Sequence, residues 1–213
     1  RAWMQERGKP DPIDIPPASV REHVTHGIFR DPAEDALAVD YWRFAHWVTG
    51  DGILYFARAA QEVLNHEAAL GVFYGYILEL ADSRLLYEGH LDFDRVYRSP
   101  DLDFFISPGT YHDRQTGGGS GYMVALESVR YHGKRFLHEI DHRTHTSKST
   151  VELGVAVPGH NDGFPNEQAT IAGLRREFSL ALVEGTALWW FDMFGDWFKG
   201  QPVLDAIGQM QAL

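Results

Sequence analysis

The sequence predicts an α/β fold built on parallel strands, and three observations carry that prediction. Four short, nearly continuous apolar runs, at residues 70–76, 103–107, 135–140 and 187–191, read as strands buried on both faces. Segments with helical spacing lie between and around them, so helix and strand alternate from residue 31 to the C-terminus. Each strand is followed by a long stretch rich in polar and aromatic residues, while the turns before the strands are short. That asymmetry belongs to barrels that build their sites at the C-terminal strand ends. The four strands are therefore expected to form a half-barrel of the TIM type rather than a small open sheet.

The elements follow in order. Residues 1–8 read as the tail of a helix, with charges in succession and no apolar core of a signal peptide. Residues 8–20 carry Pro10, Pro12, Pro16 and Pro17 and read as an irregular connection. A helix is expected to start at Asp31-Pro32, with Pro in the first turn and Glu34 and Asp35 near its positive end. Ala38, Tyr41, Trp42, Ala45, Val48, Ile53, Phe56, Ala57 and Ala60 continue it to about Asn65. Further helices are expected at 93–98, 123–132, 167–184 and 202–212. The 167–184 helix has Asn166 as N-cap and Gly185 just past its end.

The 213 residues are 44% hydrophobic, enough for one sizeable core, and the chain is expected to be a single domain. A formal charge of −11 argues against a nucleic-acid or anionic-membrane partner. The absence of cysteine excludes disulfides, thiolate chemistry and cysteine zinc sites. No apolar run reaches the roughly 18 residues needed to cross a bilayer, and a cytoplasmic protein without a cofactor is expected.

The segment richest in chemistry is HEIDHRTH, residues 138–145. Strand alternation puts Glu139, Asp141 and Arg143 on one face and His138 and His142 on the other. Two carboxylates and a guanidinium in a barrel mouth are costly unless paired or used. A catalytic carboxylate held by an Arg is the favoured reading, and a buried structural ion pair is the alternative. His138, His142 and His145 also raise a metal-dependent hydrolase, although i,i+4 spacing off a helix does not give zincin geometry.

The loop after the second strand offers Tyr111 and His112, and Tyr111 is placed to donate its hydroxyl to a carboxylate on the next strand. The glycine run at 117–119 lacks the Gly-Lys-Ser/Thr of a phosphate loop and reads as a flexible rim. Trp189, Trp190 and Asp192 close the fourth strand. Only one of the two tryptophans can face inward, and an inward indole suits the apolar face of a sugar ring. Tyr76 and Glu79 end the first strand, and Glu79 either binds a hydroxyl or caps a helix.

The phrases GVFYGYILEL, DFFISPGTYHDR, GGGSGYMVALESVRYHGKRFLHEIDHRTHT and LWWFDMFGDWF resemble the second half of the β-galactosidase-like glycoside hydrolases of family 42, in clan A. They are most similar to an uncharacterised branch of barrel glycosidases, and the likeness spans nearly the whole chain. The resemblance implies a retaining enzyme whose strands here correspond to numbers five to eight. It implies Glu139 as the nucleophile, Tyr111 as a residue orienting it, and Trp189 or Trp190 as the platform beneath the sugar. In that family the general acid/base Glu follows strand four, and residues 1–8 match the helix after it. The acid/base position is therefore expected to lie outside this sequence. Glu79 and Glu127 are substitutes only in a rebuilt fold.

Two partners are accordingly expected besides a carbohydrate. The edges of LGVFYGY and ALWWF lack neighbours in a half-barrel, and its inner face, with Phe73, Phe105 or Ile106, and Leu137, is left open. Either a homodimer or higher oligomer, or an N-terminal half-barrel, would cover them. A stand-alone half-barrel that binds saccharide without cleaving it is the competing reading.

Overall fold

Parallel pairing of the four apolar runs is what the computed structural model shows. It describes residues 2–8, 14–23, 30–78, 83–147, 163–193 and 195–213. The strands are β1 (Gly71–Phe73), β2 (Phe104–Pro108), β3 (Arg135–Ile140) and β4 (Ala187–Trp190). They form one sheet in the order β1-β2-β3-β4, with every neighbouring pair parallel. The helices are α1 (Ala2–Gln5), α2 (Ala18–Arg21), α3 (Ala36–Leu64), α4 (Ser83–Tyr87), α5 (Phe93–Tyr97), α6 (Leu126–Tyr131), α7 (Glu167–Glu184) and α8 (Gln201–Gln211), with a 3₁₀ turn at His90–Asp92. No helix of the described residues is long and apolar enough to cross a membrane.

The chain groups into two compact units. One comprises Arg1–Ala68 and Leu80–Asp101; the other comprises Ala69–Glu79 and Leu102–Leu213. The first unit is helical and organised by α3. Its buried positions Ala38, Trp42, His46 and Gly50 recur every fourth residue, and Ala57 and Gln61 resume that spacing further along. A Cβ on Gly50 would stand 2.6 Å from Asp92 Oδ2, so the glycine lets α3 close on the 3₁₀ turn. Val48 and Phe56, expected on the apolar face, are exposed. The expected start at Asp31 is also displaced. Asp31 Oδ1 accepts the Ala33 N–H at 2.8 Å, which closes a turn before the helix begins at Ala36.

The second unit holds the sheet. Its register places Ile106 beside Phe73 and Leu137, and Glu139 beside Pro108 and Trp189. Parallel neighbours in register share a face, so Phe73, Ile106, Leu137, Glu139 and Trp189 lie on one side. Phe105, Ser107, Phe136, His138, Ile140 and Trp190 lie on the other. That second side is sealed: Phe105, Ser107, His138 and Ile140 are fully buried. Ile140 packs with Leu174 of α7 and Val203, Ile207 and Met210 of α8, and Trp190 and Phe198 lean on this cluster. The first side is more open, and Phe73 there is 46% exposed.

α7 carries its expected caps. Asn166 Oδ1 accepts the Ala169 N–H at 2.8 Å, and Gly185 ends the helix at φ 61°, where a side chain would be strained. Its buried stripe, Thr170, Gly173, Leu174, Glu177 and Ala181, includes one carboxylate.

Candidate active site at the C-terminal strand ends

Alternation along β3 sorts its charged groups into two sets. Glu139 belongs to the more open face, is 4% exposed, and has Trp189 as its in-register neighbour on β4. Asp141 follows on the same side. Tyr76, beyond β1, and Tyr111, beyond β2, complete a cluster of four acidic groups. Burial holds the Tyr76 phenol protonated, and the charges of Glu139 and Asp141 push its pKa further up. Burial does the same to Tyr111, whose hydroxyl hydrogen-bonds Asp141.

The two carboxyls are held differently. Burial pushes Glu139 up to about 7, Asp141 adds to the rise, and Arg114 opposes it. Asp141 Oδ1 instead receives a 2.7 Å ion pair from Arg114 Nη2. The same nitrogen donates to the Gly109 carbonyl, Nε donates to the Thr110 carbonyl, and the guanidinium lies 4.4 Å from the Tyr111 ring centroid. The expectation that Arg143 holds the carboxylate is thereby corrected. The arginine that does so comes from the β2 loop, while Arg143 points its guanidinium over the Trp197 ring at 5.8 Å.

The histidines form the second set, beneath α7. Glu177 Oε2 lies 3.3 Å from His138 Nε2, and Oε1 lies 3.2 Å from His142 Nε2. Ser120 Oγ donates to the same carboxylate at 2.5 Å, and Arg176 Nε at 2.9 Å. Burial opposes the Glu177 charge, but the imidazoles and the Ser120 hydroxyl outweigh it and hold the carboxyl far below its usual range. Burial and the nearby Arg114 lower the His142 pKa. His145 bonds elsewhere, with Nδ1 3.0 Å from Thr170 Oγ1. Among the described residues no group of three His, Asp or Glu side chains is arranged to hold a metal ion.

The remaining expected residues divide. Trp189 meets Phe73 and Phe191 on the Glu139 side, whereas Trp190 stacks edge-on with Phe198 in the helical core. His112 is exposed in the β2 loop. Asp192 is exposed, and its carboxylate accepts the Trp197 N–H at 3.3 Å, which shapes the loop after β4. Glu79 lies outside the described residues. Glu127 pairs with Arg130 at 2.5 Å on α6. The glycine loop is anchored at several points. Arg176 donates to the carbonyls of Arg114, Gln115 and Gly118, and Asp113 accepts the Gly119 N–H at 2.7 Å.

Sequence reasoning missed Arg114 and Glu177. Nothing in the β2 loop marks Arg114 over its neighbours. Glu177 did leave a signal, since it interrupts the apolar stripe of α7 between Leu174 and Ala181.

Beside the carboxylates a cleft of about 90 Å³ opens, lined among others by Tyr111, Asp141, His142, Phe164 and Trp197. Its wall is tightly built: a Cβ on Gly173 of α7 would lie 2.0 Å from the Phe164 ring. The strand ends together gather two carboxyls, two phenols and an indole, with the cleft beside them. The chain matches no family model, no curated protein and no solved structure.

Proposed function

We propose that the chain is the nucleophile-bearing part of a retaining β-glycosidase, with Glu139 as the attacking carboxylate and its four strands forming half of a (β/α)₈ barrel. The observation that carries this reading is the placement of Glu139. It sits buried at the C-terminal end of a parallel strand, with Trp189 beside it and Asp141 close enough to raise its pKa. An indole next to a carboxyl is the pairing that a pyranose face and its anomeric carbon require. Trp189 takes the platform role in this reading and Trp190 does not. Tyr111 acts on Asp141, and Arg114 fixes the Asp141 carboxyl in place beside Glu139 through their 2.7 Å ion pair.

A retaining reaction also needs a proton donor for the leaving oxygen. An N-terminal half-barrel, or a second copy of the chain, is proposed to meet the more open face of the sheet and supply that donor. The raised pKa of Glu139 gives specific support to a second assignment, in which Glu139 is the acid and Asp141 the nucleophile.

A glycoside that needs no protonation of its leaving group tests both. Dinitrophenolate departs without an acid, so incubation with 2,4-dinitrophenyl 2-deoxy-2-fluoro-β-galactoside should leave one fluorosugar bound. Peptide mass spectrometry is expected to place it on Glu139, and Glu139→Gln should abolish it. A label on Asp141 would select the second assignment. Saccharide binding with no label on either residue would leave a binding protein without turnover.

A further inference from the structure

Arg143 is the charge in the cleft that the nucleophile assignment does not use. Its Nη1 is sealed from solvent and meets no acceptor, and among the described residues no carboxylate pairs with it. Its neighbour Arg114 is the opposite case, with donors spent on Gly109, Thr110 and Asp141. The Arg114–Asp141 pair cancels its own charge. Burial lowers the pKa of His142, which also lines the cleft. Among the described residues Arg143 is therefore left without a carboxylate in a half-buried setting, where an unpaired guanidinium N–H is costly.

A cleft of about 90 Å³ is several times the roughly 10–15 Å³ that one water needs, so a carboxylate and the carbon that bears it fit inside. Phe164, Met193 and Trp197 supply apolar walls around it. Tyr111 and Asp141 belong both to this cleft and to the Glu139 cluster, which sets the cleft beside that carboxyl.

We propose that this cleft is an anion subsite in which Arg143 pairs with the carboxylate of a uronic acid, so that the saccharide recognised is acidic rather than neutral. A carboxylate accepts two parallel N–H bonds from a guanidinium, which a neutral hydroxymethyl group cannot. The sugar part of the proposal rests on the glycosidase reading; the anion part does not.

Calorimetric titration of the purified protein with methyl β-galacturonide, methyl β-galactoside and acetate separates the two. The galacturonide is expected to bind at least about tenfold tighter than the galactoside, as the gain of one charge-assisted pair implies. Arg143→Gln should erase that difference, and Arg143→Lys should keep part of it. Because no carboxylate among the described residues pairs with Arg143 and its ring contact with Trp197 is a distant 5.8 Å, Arg143→Gln should unfold at nearly the same temperature as wild type. Equal affinity for the two glycosides, or a preference that survives in Arg143→Gln, would overturn the anion subsite while leaving the glycosidase reading standing. Acetate bound through Arg143 without binding of either glycoside would keep the anion subsite and remove the sugar. A loss of folding in Arg143→Gln would show a structural role for the guanidinium and count against the proposal.

Discussion

Glu177, in the second half of α7, holds its carboxylate 3.3 Å from the imidazole of His138 on β3, and neither side chain reaches solvent. An ionised carboxylate can only accept, so the His138 Nε2 carries the proton between them. This contact fastens a helix to the strand whose opposite face carries Glu139.

Removing the carboxylate leaves two imidazoles, a hydroxyl and Arg176 facing a void. Glu177→Ala is expected to cost about 3–5 kcal/mol, as breaking buried ion pairs does. The pH dependence has a definite sign. The folded pKa lies below the unfolded value of 4.5, so the contribution is present above that pH and is lost as pH falls. Urea titrations at pH 7 and pH 4 check this: wild type should lose more stability on acidification than Glu177→Gln does.

Glu139 has the opposite sign. Its folded pKa of about 7 exceeds 4.5, so its contribution is fully present below pH 4.5 and is lost as pH rises through 7. Keeping this carboxyl ionised in place costs roughly 3 kcal/mol at high pH. Glu139→Gln should therefore stabilise the protein above pH 7 by up to that amount and change little below pH 4.5. Equal stability of the two proteins at pH 8.5 would show that the site is wetter than its 4% exposure implies.

Trp189 and Trp190 are adjacent and should behave differently. Trp190→Ala opens the cluster of Ile140, Leu174 and Ile207 and is expected to cost about 3 kcal/mol without a specific effect on ligand. Trp189→Ala should cost roughly 1 kcal/mol and weaken saccharide binding at least tenfold, since stacking on the sugar is lost. Chemical denaturation and glycoside titration of both variants measure the contrast, and reversed effects would place the platform on the wrong residue.

The sheet was legible because its strands are short apolar runs, and β3 was read to the residue at both ends. β1 is shorter than its run because Tyr74 leaves the ladder before the apolar residues end. α7 was equally legible, since Asn166 and Gly185 are strong local signals. Which face of β3 carries which charge also follows from period two alone. What did not follow is the partner of each charge. Arg114 reaches Asp141 across 27 positions and Glu177 reaches His138 across 39, distances set by the βα crossover and invisible to any local pattern. The solvated side of α3 was misread for a related reason: apolar residues such as Phe56 have helical spacing without lying on the packed stripe.

The thickness of one strand separates two chemistries in β3, and this makes its length matter more than its composition. Many single replacements there would disturb one contact. Deleting one residue from 135–137 would instead turn every later side chain to the other face. Glu139 and Asp141 would then press against the carboxylate of Glu177, and the imidazoles of His138 and His142 would turn toward the open side. Insertions and deletions are therefore far less tolerable along this strand than in the loops that leave it, because a single change in spacing exchanges the two sets of titratable groups at once.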